Sequence, residues 1–302
     1  MFQSVKLTVF LGSMLIACSA WAGKLAIVID DFGYRPSQEN QILQMPSAIS
    51  VAVLPNAPHA REMATKAHQS GHEVLIHLPM APLSKQPLEK DTLRPEMSSA
   101  EIERIIREAV QDVPYAVGLN NHMGSAMTSS LFGMQKVMQA LDQYNLYFLD
   151  SMTIAGSQST RAAAGTRVKV IKRRVFLDDS QNEAQIRQQF TRAVRLAQRD
   201  GSAIAIGHPH PTTVKVLQQM LPTLPADITL VRPGQLLNEP QHTSNAPLPA
   251  EPKPAQPRNP FRGDKQCVST QSLPPVPATR ALTVISDALA QSYPLQTVKS
   301  LF

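Results

Sequence analysis

Lys24-Leu25-Ala26-Ile27-Val28-Ile29-Asp30-Asp31-Phe32-Gly33 is the stretch that decides how this chain is read. Leu25 to Ile29 form a short apolar run of strand character, and two aspartates followed by a glycine close it with a turn signal. The same unit recurs along the chain. Further apolar runs cover Ile49 to Leu54, Val74 to Ile76, Ala116 to Leu119, Leu146 to Leu149, parts of Val168 to Leu177, Ala203 to Ile206 and Ile228 to Val231. Helical signals lie between them. Ser98-x-x-Glu101 predicts a capping box ahead of Ile102, Ile105, Ile106 and Val110; Ser180-x-x-Glu183 predicts another ahead of Ile186, Phe190 and Val194, closed by Gly201. Strands that alternate with helices pair in parallel through right-handed crossovers. Roughly seven or eight such units predict an α/β fold, a single-domain (β/α) barrel, distorted or incomplete. No Gly-x-Gly-x-x-Gly follows the first strand, which argues against a doubly wound nucleotide-binding sheet.

Outside residues 23 to 238 the composition changes. Lys6 precedes an apolar run from Leu7 to Cys18, and Ala20-Trp21-Ala22 has the small-x-small pattern of a signal-peptidase site. Residues 1 to 22 are therefore expected to be a cleaved secretory signal and the protein to be exported, into the periplasm. The run is short for a membrane span of roughly 20 residues. Leu15-Ile16-Ala17-Cys18 resembles a lipobox and gives the competing reading, a lipid retained on Cys18. Residues 239 to 277 are dense in Pro, Asn, Gln and Ser and are expected to be a disordered linker. Ala278 to Phe302, with Leu282, Ile285 and Leu289, predicts a short amphipathic segment suited to an envelope protein partner. With Cys18 in the signal, Cys267 has no disulfide partner. The net charge of +6 is spread without long basic runs, and only Lys172-Arg173-Arg174 is locally basic. Nucleic acid is not an expected partner.

What ends each strand carries the chemistry. Just past the apolar runs stand Asp30-Asp31, Pro55-Asn56, His77, Asn120-Asn121-His122, Asp150-Ser151, Asp178-Asp179 and His208-Pro209-His210. In a (β/α) barrel the carboxyl ends of the strands converge on one mouth, so these groups are placed to act together. Each alone has a plain structural reading: an Asp pair caps a turn, a histidine after a strand fills a core, and His208 or His210 before Pro211 caps a helix. His59, His68, His72 and His242 are expected to be solvent-exposed. Taken jointly, a carboxylate and two imidazoles are the ligands of an open catalytic zinc site with room for water. A second carboxylate beside the ligand takes a proton from that water, and a histidine across the site protonates the leaving group. Nothing resembles a nucleophile elbow, which disfavours covalent catalysis.

These same residues carry a family resemblance. Ile29-Asp30-Asp31 resembles the Asp-Asp motif of the polysaccharide deacetylases, and Ser70-Gly71-His72-Glu73-Val74-Leu75-Ile76-His77 resembles their second motif. Asn120-Asn121-His122-Met123-Gly124-Ser125 and Ile206-Gly207-His208-Pro209-His210-Pro211 resemble the divergent branch of that family. The resemblance spans Lys24 to about Asn238. It implies a distorted (β/α) barrel that removes acetyl groups from N-acetylated glycans, with Asp30 as base, Asp31 and His77 as metal ligands and His208 as acid. Two departures matter. The family's further metal-binding histidine, four residues after the first, is Ala81 here, and the usual Arg-x-Pro motif is replaced by the Asn-Asn-His stretch. His122 is expected to take the ligand position that Ala81 leaves open. The one tryptophan is Trp21, so sugar stacking would fall to Phe32, Tyr34 or Tyr115.

The reading is therefore an extracytoplasmic hydrolase using a divalent metal, expected to be zinc. Asp30 and His208 would be catalytic, Asp31, His77 and His122 metal ligands, and the substrate an N-acetylated cell-envelope carbohydrate of peptidoglycan-like type. The alternative is a barrel without turnover that binds envelope carbohydrate or serves as a scaffold.

Overall fold

A computed structural model describes residues 22 to 240. The signal, the Pro-rich stretch beyond 240, the terminal amphipathic segment, Cys267 and His242 lie outside the described residues. The strands are β1 (Gly23–Phe32), β2 (Ser50–Val53), β3 (Val74–Met80), β4 (Ala116–Met123), β5 (Tyr147–Asp150), β6 (Val170–Lys172), β7 (Val175–Phe176), β8 (Ser202–Gly207) and β9 (Ile228–Val231). Between them run α1 (Pro36–Ile42), α2 (Ala60–Gln69), α3 (Ser99–Asp112), α4 (Ser125–Ser129), α5 (Leu131–Leu141), α6 (Ser159–Ala162), α7 (Glu183–Asp200) and α8 (Pro211–Met220). Eight strands lie in the order β6-β5-β4-β3-β2-β1-β8-β7, and β9 pairs with β1 beside them. Every pairing is parallel. The result is an incomplete (β/α) barrel.

The incompleteness has one place. β6 pairs with β5 and β7 with β8, while only Arg173 and Arg174 separate β6 from β7. The Arg173 amide donates to Asp150 O at 3.0 Å and the Arg174 amide donates to Ile204 O at 2.8 Å. A single extended run thus changes partner between two residues, and no ladder joins its halves. This is why Val168 to Leu177 reads as strand only in part.

The sheet is covered on both faces, as parallel sheets require. One face gathers Ala26, Val28, Ala52, Leu75, Tyr147, Leu149, Ile171, Ile204 and Ile206 into the barrel interior. The alternate residues Leu25, Ile27 and Ile29 are also fully buried. On the helical layer α7 buries Ile186, Phe190, Val194 and Ala197.

Several local expectations change. β1, β3, β4 and β8 run longer than their apolar stretches, and in β3 and β4 polar end residues stay in the ladder: His77 pairs with Asn120, and Pro79 with His122; β2 is shorter than its apolar run. Ser98 does cap α3, accepting from the Glu101 amide. Ser180 does not cap α7; Asn182 does, its side chain accepting from the Ala184 and Gln185 amides. An Asx cap one residue before the helix satisfies two free amides at once, which Ser180 cannot reach. His72, expected to be exposed, is buried, with Nδ1 2.8 Å from Ile49 O and Nε2 3.2 Å from Leu43 O. His68 is exposed and stacks on Tyr115.

Candidate active site at the barrel mouth

Side chains alternate across a strand, so the inward face of each strand can be followed two residues at a time. On β1 it runs Ala26, Val28, Asp30; on β3 Leu75, His77; past β8 Ile204, Ile206, His208. On β4 it runs Gly118, Asn120, His122. Gly118 carries no side chain because the Tyr147 ring fills that space, 2.6 Å from where a Cβ would stand. The apolar interior thus turns polar at one level on several strands. Asp31 is out of phase with this alternation. It has φ +57, in the left-handed region, and the β1–β2 register slips between Ile29 and Phe32. Such a bulge re-aims a side chain, and here it brings a second carboxylate to the same mouth.

The consequence is a tight polar cluster. His77 Nε2 lies 3.3 Å from Asp31 Oδ1 and 3.6 Å from Asp30 Oδ2. His122 Nδ1 lies 3.1 Å from Asp31 Oδ1 and 3.0 Å from His77 Nε2, with the two rings edge to face. Asp31 Oδ1 is buried yet makes no hydrogen bond among the described residues. Burial would raise the Asp31 pKa, but the contacts with His122 and His77 and the charges of His77 and His208 hold it well below the usual range. The Asp30 pKa is raised, because burial outweighs the opposing pull of His77 and His208.

Two neighbours fix these groups. Asn120 is fully buried; its Nδ2 donates to Asp30 Oδ1 at 2.8 Å and its Oδ1 lies 2.8 Å from His77 Nδ1. An amide oxygen only accepts, so Nδ1 of His77 carries the proton and Nε2 presents its lone pair to Asp31 and His122 in the neutral ring. Asp178 does the same for His208. Its Oδ1 lies 3.0 Å from His208 Nδ1, while its Oδ2 accepts from the His208 amide and the Thr213 hydroxyl, each at 2.7 Å. Burial works against a charged His208, yet the hydrogen bond and charge of Asp178, with Asp31 and Asp30 beyond, push its pKa up to about 9. His208 Nε2 faces Asp31 Oδ2 at 3.9 Å. The turn after Asp31 is held by Glu39, fully buried on α1, whose Oε1 accepts from the amides of Gly33, Tyr34 and Arg35.

The residues present fit a divalent metal at one position. Asp31, His77 and His122 each offer one ligand atom within 4.8 Å of the others, and the unbonded Asp31 Oδ1 is the atom such an ion would satisfy. Asp178, His208 and His210 also lie close together. There the donors are already engaged, Asp178 as described and His210 Nδ1 by Arg35 Nη1 at 2.7 Å. Asp150 is spent on the Met152 amide and the Ser157 hydroxyl. Ala81 is buried, its carbonyl accepting from the Ala126 and Met127 amides of α4 at 3.0 and 3.1 Å.

Residues 27–237 match the model of the divergent polysaccharide deacetylases. The chain belongs to this family. It is similar to the uncharacterized protein YibQ of Escherichia coli, 70% identical over 283 residues, covering 94% of this chain and 88% of that protein. An uncharacterized protein of Haemophilus influenzae is 43% identical over 228 residues, covering 76% of this chain and 81% of its own length. The crystal structure of an uncharacterized protein from Agrobacterium tumefaciens shares the fold, with a TM-score of 0.67 at 20% identity, covering 72% of this chain and 90% of that one.

The mouth gathers Asp30, Asp31, His77, His122 and His208. What the sequence reading missed is the layer behind them. Asn120 stood in the quoted motif, and its spacing of two from His122 on a strand was the available signal. Of the proposed stacking residues, Phe32 is fully buried and Tyr115 precedes β4 at the opposite end of the barrel, so both are excluded. Tyr34 is 48% exposed beside the mouth and remains.

Proposed function

We propose that this protein is a metal-dependent deacetylase of an N-acetylated cell-envelope carbohydrate, of peptidoglycan-like type. The observation that carries the reading is the buried, unbonded Asp31 Oδ1 with two imidazole nitrogens within 3.3 Å. Asp31, His77 and His122 would hold the ion, and zinc suits one carboxylate and two imidazoles with an open position. A bound divalent metal supplies Lewis-acid polarisation of the acyl carbonyl and a water of lowered pKa. Asp30, held by Asn120, accepts the proton of the attacking water; its raised pKa makes it a stronger base than an exposed carboxylate. His208 stays protonated at neutral pH because Asp178 backs it, and it donates to the departing amine nitrogen. Tyr34 gives a sugar ring an apolar surface at the rim. The reading includes export, from the Ala20-Trp21-Ala22 site, and N-terminal mass spectrometry of the mature protein tests it; an intact Met1 overturns export.

The central test is elemental analysis after dialysis, combined with acetate release from N-acetylated oligosaccharides. One equivalent of metal in the native protein, lost to the same degree in His122→Ala and His77→Ala, is expected. Full occupancy in His122→Ala would remove that residue from the ligand set, and no acetate release from any N-acetylated glycan would leave the barrel a binding or scaffolding protein.

A further inference from the structure

The split strand opens a cleft beside the mouth, of about 540 Å³, lined by Arg173, Arg174, Arg192, Phe176 and Asp179 among others. It adjoins the catalytic cluster: the Phe176 ring lies 5.3 Å from that of His208. The arginines differ in what they face. Arg174 is neutralised by Asp200 at 3.0 Å. Arg173 spends Nε and Nη2 on the carbonyls of Ser151 and Met152, neutral acceptors, and its guanidinium covers the Phe176 ring at 4.9 Å. Arg192, exposed on α7, donates at 3.4 Å to the neutral Gln189 side chain. The carboxylates that act on Arg173 are Asp30, Asp150 and Asp179, while Arg192 adds a like charge. Two guanidinium groups thus share a cleft in which Asp179 is the one lining carboxylate, and a low-dielectric wall strengthens their field.

From this we infer that the cleft is a subsite for a carboxylate on the sugar adjoining the acylated one, so that the substrate is an acidic N-acetylated glycan. The inference rests on the deacetylase reading of the mouth. Arg192, which donates to the neutral Gln189 side chain, offers a guanidinium fork to carboxylate, while Arg173, its Nε and Nη2 engaged by the Ser151 and Met152 carbonyls, adds charge to the cleft. Phe176, whose ring contacts both the Arg173 guanidinium and the His208 ring, links the cleft to the mouth.

The test is calorimetric titration of the full mature chain with two tetrasaccharides, one alternating N-acetylglucosamine with glucuronate, the other made of N-acetylglucosamine alone, and with inorganic phosphate. The acidic tetrasaccharide is expected to bind about tenfold more tightly at low salt, the worth of one charge-assisted hydrogen bond, and to lose that margin as salt rises. Arg192→Gln, at an exposed position, is expected to abolish the preference and leave binding of the neutral sugar unchanged. Equal affinity for the two sugars, a preference insensitive to salt, or a preference that survives Arg192→Gln would overturn the subsite. So would displacement of the acidic sugar by phosphate at equal concentration, which would mark a general anion site. Acetate release from the neutral tetrasaccharide reports on the deacetylase reading separately. Its absence with the preference intact sinks that reading and supports the anion site; its presence without a preference sinks the subsite alone.

Discussion

Two carboxylates at opposite ends of the barrel are treated in opposite ways. At the base, Glu73 precedes β3 and its Oε1 accepts from the Tyr147 hydroxyl at 2.6 Å and the Gly234 amide at 3.1 Å. At the mouth, Asp31 Oδ1 is buried without a hydrogen bond, on a residue with positive φ. The base pairs its carboxylate with a hydroxyl and an amide, although burial still raises its pKa. The mouth concentrates charge and strained backbone, with Asp31, Met123 and Met152 supplying three of the five non-glycine positive φ values among the described residues. Strain and unsatisfied polarity collect where a structure works rather than where it holds.

That contrast can be broken by substitution. The largest effect is expected from Asp30→Asn, which should lower acetate release by about 10² to 10⁴ while leaving metal content and the melting temperature near native, since a base is not a ligand. Loss of the metal in that variant would mean Asp30 belongs to the ligand set. Asn120→Ala comes next. Freed from its amide, His77 should bind the ion about 10 to 100 times more weakly, seen in competition with a chelator. At the base the sign of the readout reverses: Tyr147→Phe should cost about 1.5 to 3 kcal/mol in chemical denaturation and leave turnover alone. A Tyr147→Phe variant as stable as native but inactive would undo the division between the two ends.

The smallest expected effect is on pH. The folded pKa of His208, about 9, lies above the unfolded value near 6.5, so the fold favours the charged ring. Its stabilising contribution is complete below about pH 6.5 and falls away as pH rises through about 9. Melting curves of metal-free protein between pH 6 and 10 should decline more steeply for the native chain than for Asp178→Asn. Parallel curves would show that Asp178 does not set that shift.

Much of this fold was legible because period and composition agree along the strands. The apolar runs that open β1, β3, β4 and β8 mark them, and the polar residue next on the inward face marks the mouth. What stayed hidden depends on partners distant in sequence. His72 looked like a turn histidine because Ile49 and Leu43, whose carbonyls surround it, belong to another part of the chain. Asp178 could not be tied to His208, 30 residues later, by any pattern. Glu39 carried no sequence signal, and its hold on the amides of residues 33 to 35 follows from a backbone path that no propensity reports. The exchange of partners at Arg173 and Arg174 was invisible for the same reason.

The bulge at Asp30 and Asp31 has a consequence for how this site is inherited. In a regular strand, neighbouring residues face opposite sides, so two adjacent aspartates would place one carboxylate inside and one against the helices. Here the number of residues between Ile29 and Phe32, rather than their identity, delivers both to the interior. A lineage that lost one residue at this point would keep an acidic strand end and a recognisable family sequence while removing one of the two carboxylates from the mouth. Insertions and deletions at this position, more than substitutions, should decide whether a relative keeps both carboxylates at its mouth.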